Sequence, residues 1–209
     1  MNAMNFLRNA FAGRKLATAG FIWLCLIALA AIIAPLIAPF DPLEIDPVGR
    51  LAEPGWPNLF GTDHFGRDTF SRAIYGARMT VIIGMGSVIV ALVAGGAIGM
   101  LSAYFTRLGH FLMRGVDVLM AFPALLMALV LITLLERSVF NTILVIGIVY
   151  ATTTARILYG MTLKLKGEVF VDAAICSGAG PTSILIRHIL PHLVSPLLVQ
   201  ASFIFAFAQ

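Results

Sequence analysis

Five stretches of this chain run for about 20 residues with no Lys, Arg, Asp or Glu, the length a helix needs to cross a bilayer core. They fall at Leu16–Phe40, Met79–Thr106, Val118–Leu135, Ser138–Ala155 and His188–Gln209. Only 11% of the residues are charged while 60% are hydrophobic, against about 25% and 45–50% in a soluble domain. Too little charge is present to cover a water-soluble particle of this size. Those proportions exclude a soluble single-domain enzyme, a disordered chain and a nucleic-acid binder. An all-α, polytopic integral membrane protein is expected. Lipid leaves only helices and closed barrels as spanning structures, and the ten-residue alternation of barrel strands is absent.

The runs predict helices near 16–38, 79–105, 116–135, 139–160 and from 194 onward. The first is too long for the apolar core of a cleaved signal peptide, about 7–15 residues, so a retained signal-anchor helix is expected. With the N-terminus in the cytoplasm, inside segments hold nine basic residues and outside segments five, while seven acids lie outside and three inside. Basic residues favour the cytoplasmic side, so this orientation is expected. Residues 1–40 are then a cytoplasmic N-terminus and first membrane helix, and 41–78 an outer segment. Residues 79–209 carry the remaining helices with an inner loop at 161–192. From Ser195 to Gln209 a helix rises about 22 Å, and the chain reads as stopping inside a membrane helix.

The inner loop is the most patterned segment. Glu168 and Asp172 stand one turn apart at the start of a short helix, where carboxylates favour the positive dipole end. Ala173 and Ala174 follow and carry no bulk. Gly178 suits a left-handed helix stop, Gly180 the turn, and Pro181 the first turn of a second helix, which Pro191 is expected to end. This is a helix–turn–helix on which a partner surface can approach the backbone closely.

The stretch Asp172-Ala173-Ala174-x-x-x-Gly178, then nine residues, then His188-Ile-Leu190-Pro191 resembles the EAA loop of binding-protein-dependent ABC importer permeases. It has Asp172 where Glu is usual and His188 where Ile is usual. A second stretch carries Gly61, Thr62, Asp63, Gly66, Arg67, Asp68, Ser71 and Arg72. It resembles the G-T-D-x-x-G-R-D-x-x-S-R signature of the dipeptide, oligopeptide and nickel permease subfamily, and Ala38-Pro39-Phe40-Asp41-Pro42 looks like the C-type subunits. The resemblance implies a type I ABC importer (MetI-like) helical bundle in a bacterial inner membrane. Five of its six helices would be visible here, the fifth incomplete. It also implies a second permease subunit, two ATPase subunits docking on the inner loop, and an external solute-binding protein. The cargo would be di- or oligopeptides, or alternatively nickel or another small solute. ATP would be used by the partner subunits, with no cofactor on this chain.

The remaining chemistry-bearing residues have plainer readings. His188 and His192 are four apart, but Pro191 is expected to interrupt the helix between them, and no third metal ligand is near. Arg67 and Asp68 suit an ion pair or a capping role. Asp117, the one acid at membrane depth, is a functional candidate by default, with Arg114 three residues earlier as its simplest partner. Gly95-x-x-x-Gly99 permits close helix packing, and Cys25 and Cys176 read as small buried hydrophobes. No phosphate loop, H-E-x-x-H or G-x-S-x-G motif occurs. The chain is therefore not expected to be an enzyme. A secondary transporter would show several buried charges or broken half-helices, and only Asp117 points that way.

Overall fold

The structure, a computed structural model, describes residues 15–208; the cytoplasmic stretch expected before Lys15, and the last residue, lie outside them. The regular elements among the described residues are helices, with one isolated antiparallel bridge between Thr62 and Asp68. The chain divides into two compact units, Met1–Val81 and Ile82–Gln209.

In the first unit, α1 (Lys15–Ile32) is apolar over Thr18–Ile32. It gives way at Ile33 (φ −89°, ψ 9°) to the one-turn α2 (Ala34–Ile37), which carries Pro35 in its first turn. The expected helix over 16–38 is therefore broken, because a proline cannot donate into the turn before it. Residues 38–68 are irregular. The next helix, α3 (Thr69–Tyr104), starts ten residues earlier than expected. The Ser71 N–H donates to Asp68 Oδ2 at 2.8 Å, an N-cap contact that starts the helix within what read as loop.

The second unit holds the rest of α3, α4 (Thr106–Met120), α5 (Ala124–Leu134), α6 (Val139–Lys166), α7 (Val169–Cys176) and α8 (Pro181–Phe207). Small residues bring α3 and α6 together. A Cβ on Gly95 would lie 2.5 Å from the Ala151 carbonyl oxygen, and one on Gly99 2.5 Å from that of Ala155. Higher on the same seam the Ser87 hydroxyl donates to the Ile143 carbonyl at 3.4 Å. These contacts advance in the same direction along both helices, so α3 and α6 are parallel. The segment between them must carry the chain back.

That return is α4 and α5, which meet at a 91° bend rather than forming the single helix expected over 116–135. Pro123, at the N-cap of α5, supplies no N–H to a continuing helix and biases Phe122 away from helical backbone. Three helices among the described residues, α3, α6 and α8, are long and apolar enough to cross a membrane; there are four if the bent pair is one span.

A second correction concerns Pro191. The helix it was expected to end runs on from Pro181 to Phe207, 27 residues. Residues Ile184–Ile189 form a π turn just before it, with the Leu190 N–H bonded back to the Leu185 carbonyl. The widened turn gives the proline ring room that a regular turn denies it. The inner segment is thus mostly helix, with α6 reaching Lys166 and only two short connections around α7.

Candidate functional site

Two clusters gather the residues that the sequence singled out. The first is the corner made by α7 and the start of α8. Glu168 occupies the N-cap of α7 without a side-chain cap bond, and Asp172 lies in its first turn. After α7 the backbone turns over at Gly178, φ 83°, where the Gly178 N–H bonds to the Ile175 carbonyl at 2.9 Å and the Ala179 N–H to that of Ala174 at 3.0 Å. Gly180 is the N-cap of α8. A Cβ at Gly178 or Gly180 would meet nothing within 4 Å, so the turn stands open to an approaching surface.

The two alanines do not share a face. Ala173 is exposed, while Ala174 is buried with Val171, because positions three apart on a helix point the same way. Under the corner, Leu158, Val171, Ile184, Leu185, Ile189 and Leu193 form a buried cluster. It ties α6, α7 and α8 together. Leu190 is half-buried and Pro191 exposed. Lys166, in the last turn of α6, donates to the Tyr104 carbonyl at 2.9 Å, a cation at the negative end of α3. That contact was missed, although a lysine closing a helix is the signal for it.

The second cluster is a knot in the first unit built on Asp63. Its Oδ1 accepts the N–H groups of Phe65 at 2.8 Å and Arg67 at 3.0 Å. Its Oδ2 takes the Arg67 Nε at 2.9 Å and also the Arg72 guanidinium. Burial is the largest single influence on this carboxyl and pushes it up, but the Arg67 and Phe65 amides and the Arg67 charge together outweigh it and hold it below the ordinary carboxylate value. Gly66 has φ 78°. A Cβ there would lie 1.8 Å from the Asp46 carbonyl oxygen, so two strands of loop touch backbone to backbone. Thr62 Oγ1 donates to the Gly49 carbonyl at 2.5 Å and accepts the Ala52 N–H at 2.8 Å. Buried Ser71 takes the Phe40 N–H at 3.3 Å, and Gly61 receives the Thr69 N–H on its carbonyl. Arg67 pairs with Asp63 rather than with Asp68, whose work is the cap on α3. All eight residues of the motif are therefore in one place.

Residues 92–208 match the model of the binding-protein-dependent transport system inner membrane component. The chain belongs to that family. Residues 6–54 also match the N-terminal TM domain of oligopeptide transport permease C. This permease is 38% identical over 189 residues to a putative peptide transport system permease protein of Brucella suis, covering 90% of this chain and 64% of that one. It is 34% identical over 207 residues to the di/tripeptide transport system permease protein DppC of Pseudomonas aeruginosa, covering 96% and 68%. It is 35% identical over 189 residues to the dipeptide transport system permease protein DppC of Alkalihalophilus pseudofirmus, covering 90% and 62%. The chain spans less than two thirds of the length of the first of these relatives. It is a multi-pass membrane protein of a transport family, and such permeases are not themselves catalytic.

Three residue-level expectations need correcting in the permease. Asp117 pairs with Arg156 on α6, not with Arg114. Arg156 sits almost three turns before the end of α6, which brings it against α4. His188 and His192 belong to one continuous helix. Each ring Nδ1 lies by a backbone carbonyl, at 3.2 Å from Ser183 and 2.8 Å from His188, and His192 stacks on Phe170. No metal-holding group of three His, Cys, Asp or Glu occurs among the described residues. Cys25 and Cys176 are exposed rather than buried. In α7 the inward positions are Val171 and Ala174, which turns Cys176 outward.

Proposed function

We propose that this permease forms half of the translocation path of an ATP-driven, binding-protein-dependent importer of di- or oligopeptides in a bacterial inner membrane, with its N-terminus in the cytoplasm. Its relatives carry names of dipeptide and peptide transport systems, which favours peptides over nickel as cargo. The observation that carries the mechanism is the α7–Gly178–α8 corner, open at its tip and seated on a buried apolar cluster shared with α6. Glu168, Asp172, Ala173 and Gly178 present the contact, and Gly180, Leu190 and Pro191 shape the second arm. ATP binds and is hydrolysed on two separate ATPase subunits, and this chain needs no cofactor of its own. When they close, force on α7 passes through Val171, Ala174 and the cluster into α6 and α8. The permease then moves against a second permease subunit as a rigid body, alternating access to the path. An external solute-binding protein delivers the cargo.

The test is to isolate the assembly from its native membrane in mild detergent, identify its components by mass spectrometry, and follow uptake of a labelled dipeptide. Two ATPase chains and a second permease are expected. Gly178→Trp, which puts bulk into the open tip at the cost of a side chain in left-handed backbone, is expected to insert normally while abolishing ATP-dependent uptake. A permease that purifies with no ATPase, or a Gly178→Trp variant with full uptake, overturns the reading.

A further inference from the structure

The surface of α4 falls into three sectors. Gly109, Met113 and Val116 are buried. Arg107, His110, Arg114 and Asp117 recur at i, i+3, i+7 and i+10, and all are exposed. Leu108, Phe111, Val118 and Leu119 fill the remaining arc and are exposed too. On a helical period the charged arc and the exposed apolar arc flank the buried one. Asp117 pairs with Arg156 of α6, which leaves Arg107 and Arg114 as the charge of the stripe. Neither guanidinium has an ion-pair or hydrogen-bond partner among the described residues.

The bend at Pro123 sets how this helix lies. α5 returns alongside α6, since the crevices between them join 124–132 to 145–150 and 132–135 to 138–142. α4 meets α5 at 91° and so crosses the parallel pair α3 and α6. A Cβ on Gly109 would lie 2.0 Å from the Ser102 carbonyl oxygen of α3, and Met113 and Val116 pack with Ala155 of α6. From Ser138 to Arg156 α6 rises about 27 Å, nearly the thickness of a hydrocarbon core, and carries no charge in between. Through the Asp117–Arg156 pair α4 is therefore held at the inner edge of that core, lying across the bundle.

We infer that Arg107 and Arg114 of α4 bind the phosphate groups of anionic phospholipids in the inner leaflet. The inference rests on the importer reading above only for which leaflet this is. A guanidinium fork matches phosphate oxygens two at a time. The two arginines stand two turns apart, about 10 Å along the axis, so each takes its own headgroup. Phe111 and Val118 choose the occupant. Each lies four residues after one of the arginines and so beside it on the helix, and Phe111 is 80% exposed. An apolar side chain next to each guanidinium fits an acyl chain beneath its headgroup, and fits neither a water-borne phosphate nor an acidic soluble surface. An amphipathic helix with arginines on one arc and Phe and Leu on another lies in the interface in this way. Asp117 would weaken the stripe by its own charge, and its pairing with Arg156 removes that cost.

The experiment reconstitutes the intact assembly in vesicles of phosphatidylcholine and phosphatidylglycerol, with a fluorescent side chain placed at Leu108 by codon suppression. Bromine is carried on the chains of one lipid or the other at constant composition, and the quenching of the two is compared. A preference for phosphatidylglycerol of roughly fivefold or more is expected, which is what one basic residue contributes at an anionic surface, and it should shrink in high salt. Arg107→Gln/Arg114→Gln should abolish the preference while quenching by phosphatidylcholine persists, which shows the helix still in place. Arg107→Lys/Arg114→Lys should keep most of it. Equal quenching by the two lipids in the wild type overturns the proposal, as does a preference that survives the glutamine pair. Quenching by neither lipid puts protein over α4 and overturns it too. Uptake of a labelled dipeptide, with ATP and the solute-binding protein supplied, is followed in the same vesicles. A lipid preference without uptake overturns the importer reading and leaves the lipid site standing; uptake without a lipid preference does the reverse.

Discussion

Gly66 and Gly178 both adopt left-handed backbone, yet their surroundings set different penalties for a side chain. At Gly178 the space is open, so Gly178→Ala should cost only the conformational penalty, about 1–2 kcal/mol. At Gly66 that penalty adds to a Cβ driven into the Asp46 carbonyl at 1.8 Å. Gly66→Ala should therefore open the loop, at about 2–5 kcal/mol when overpacking is included. Limited proteolysis of residues 41–68 distinguishes them: rapid cleavage is expected for Gly66→Ala and wild-type resistance for Gly178→Ala. Asp63 makes a pH prediction. Its folded carboxyl lies below the ordinary value. The stabilisation it brings is therefore present above the unfolded pKa of about 3.9 and is lost as pH falls through the lower folded value. Protease resistance of this loop should hold from neutral pH down to about 5 and fall below about 4, and Asp63→Asn should be more sensitive throughout with that acid step flattened. A wild-type loop whose resistance changes mainly between pH 6 and 8 would contradict this.

At the level of elements, the α3–α6 seam depends on glycine backbone meeting carbonyl. Gly95→Leu should push the helices apart, cost about 1–3 kcal/mol for the added bulk, and lower the detergent-solubilised melting temperature. The same substitution at Gly160, whose Cβ would meet nothing within 4 Å, should leave it nearly unchanged. Equal shifts at the two positions would refute the seam. Charge-free runs made most of these helices legible, because lipid requires them, and Gly95 and Gly99 were visible by their spacing. Turning points were harder. Asp68 starts α3 through a hydrogen bond to Ser71, which a polar stretch conceals, and Pro123 breaks the 116–135 run with a bend whose size no local signal fixes. Pro191 misled in the opposite direction, since the π turn that accommodates it, with Ile184, Leu185 and Ile189 buried in the cluster under the corner, leaves no local signal in the sequence. The Asp117–Arg156 pair joins two helices and could not be read along one; Arg114 was merely the neighbour in sequence. The eight residues around Asp63 were legible as a set, whereas their arrangement about one carboxylate was not, because it depends on Gly66 meeting Asp46 across twenty residues of loop.

For the whole molecule, the native cysteines provide a test of orientation. Cys176 closes α7 and is exposed; with an inward corner it faces cytoplasmic water. Cys25 lies within the apolar α1, where surrounding lipid keeps a water-borne reagent away from it. A membrane-impermeant maleimide should thus label inside-out vesicles at Cys176 and leave intact right-side-out spheroplasts unlabelled. Cys176→Ser should abolish the signal and Cys25→Ser should not alter it. Introducing His64→Cys into the exposed Phe65 turn should add a site reached only from the outer face. If the ATPases dock on the corner, Cys176 should also be shielded in the intact assembly and become reactive when they are stripped away, whereas the cysteine at position 64 should be indifferent to their removal. Labelling of Cys176 from the outside would invert the topology and place the corner where no ATPase can reach it. Correct sidedness with no shielding would keep the topology and refute the docking role, so the two halves of the importer reading are tested separately by one reagent.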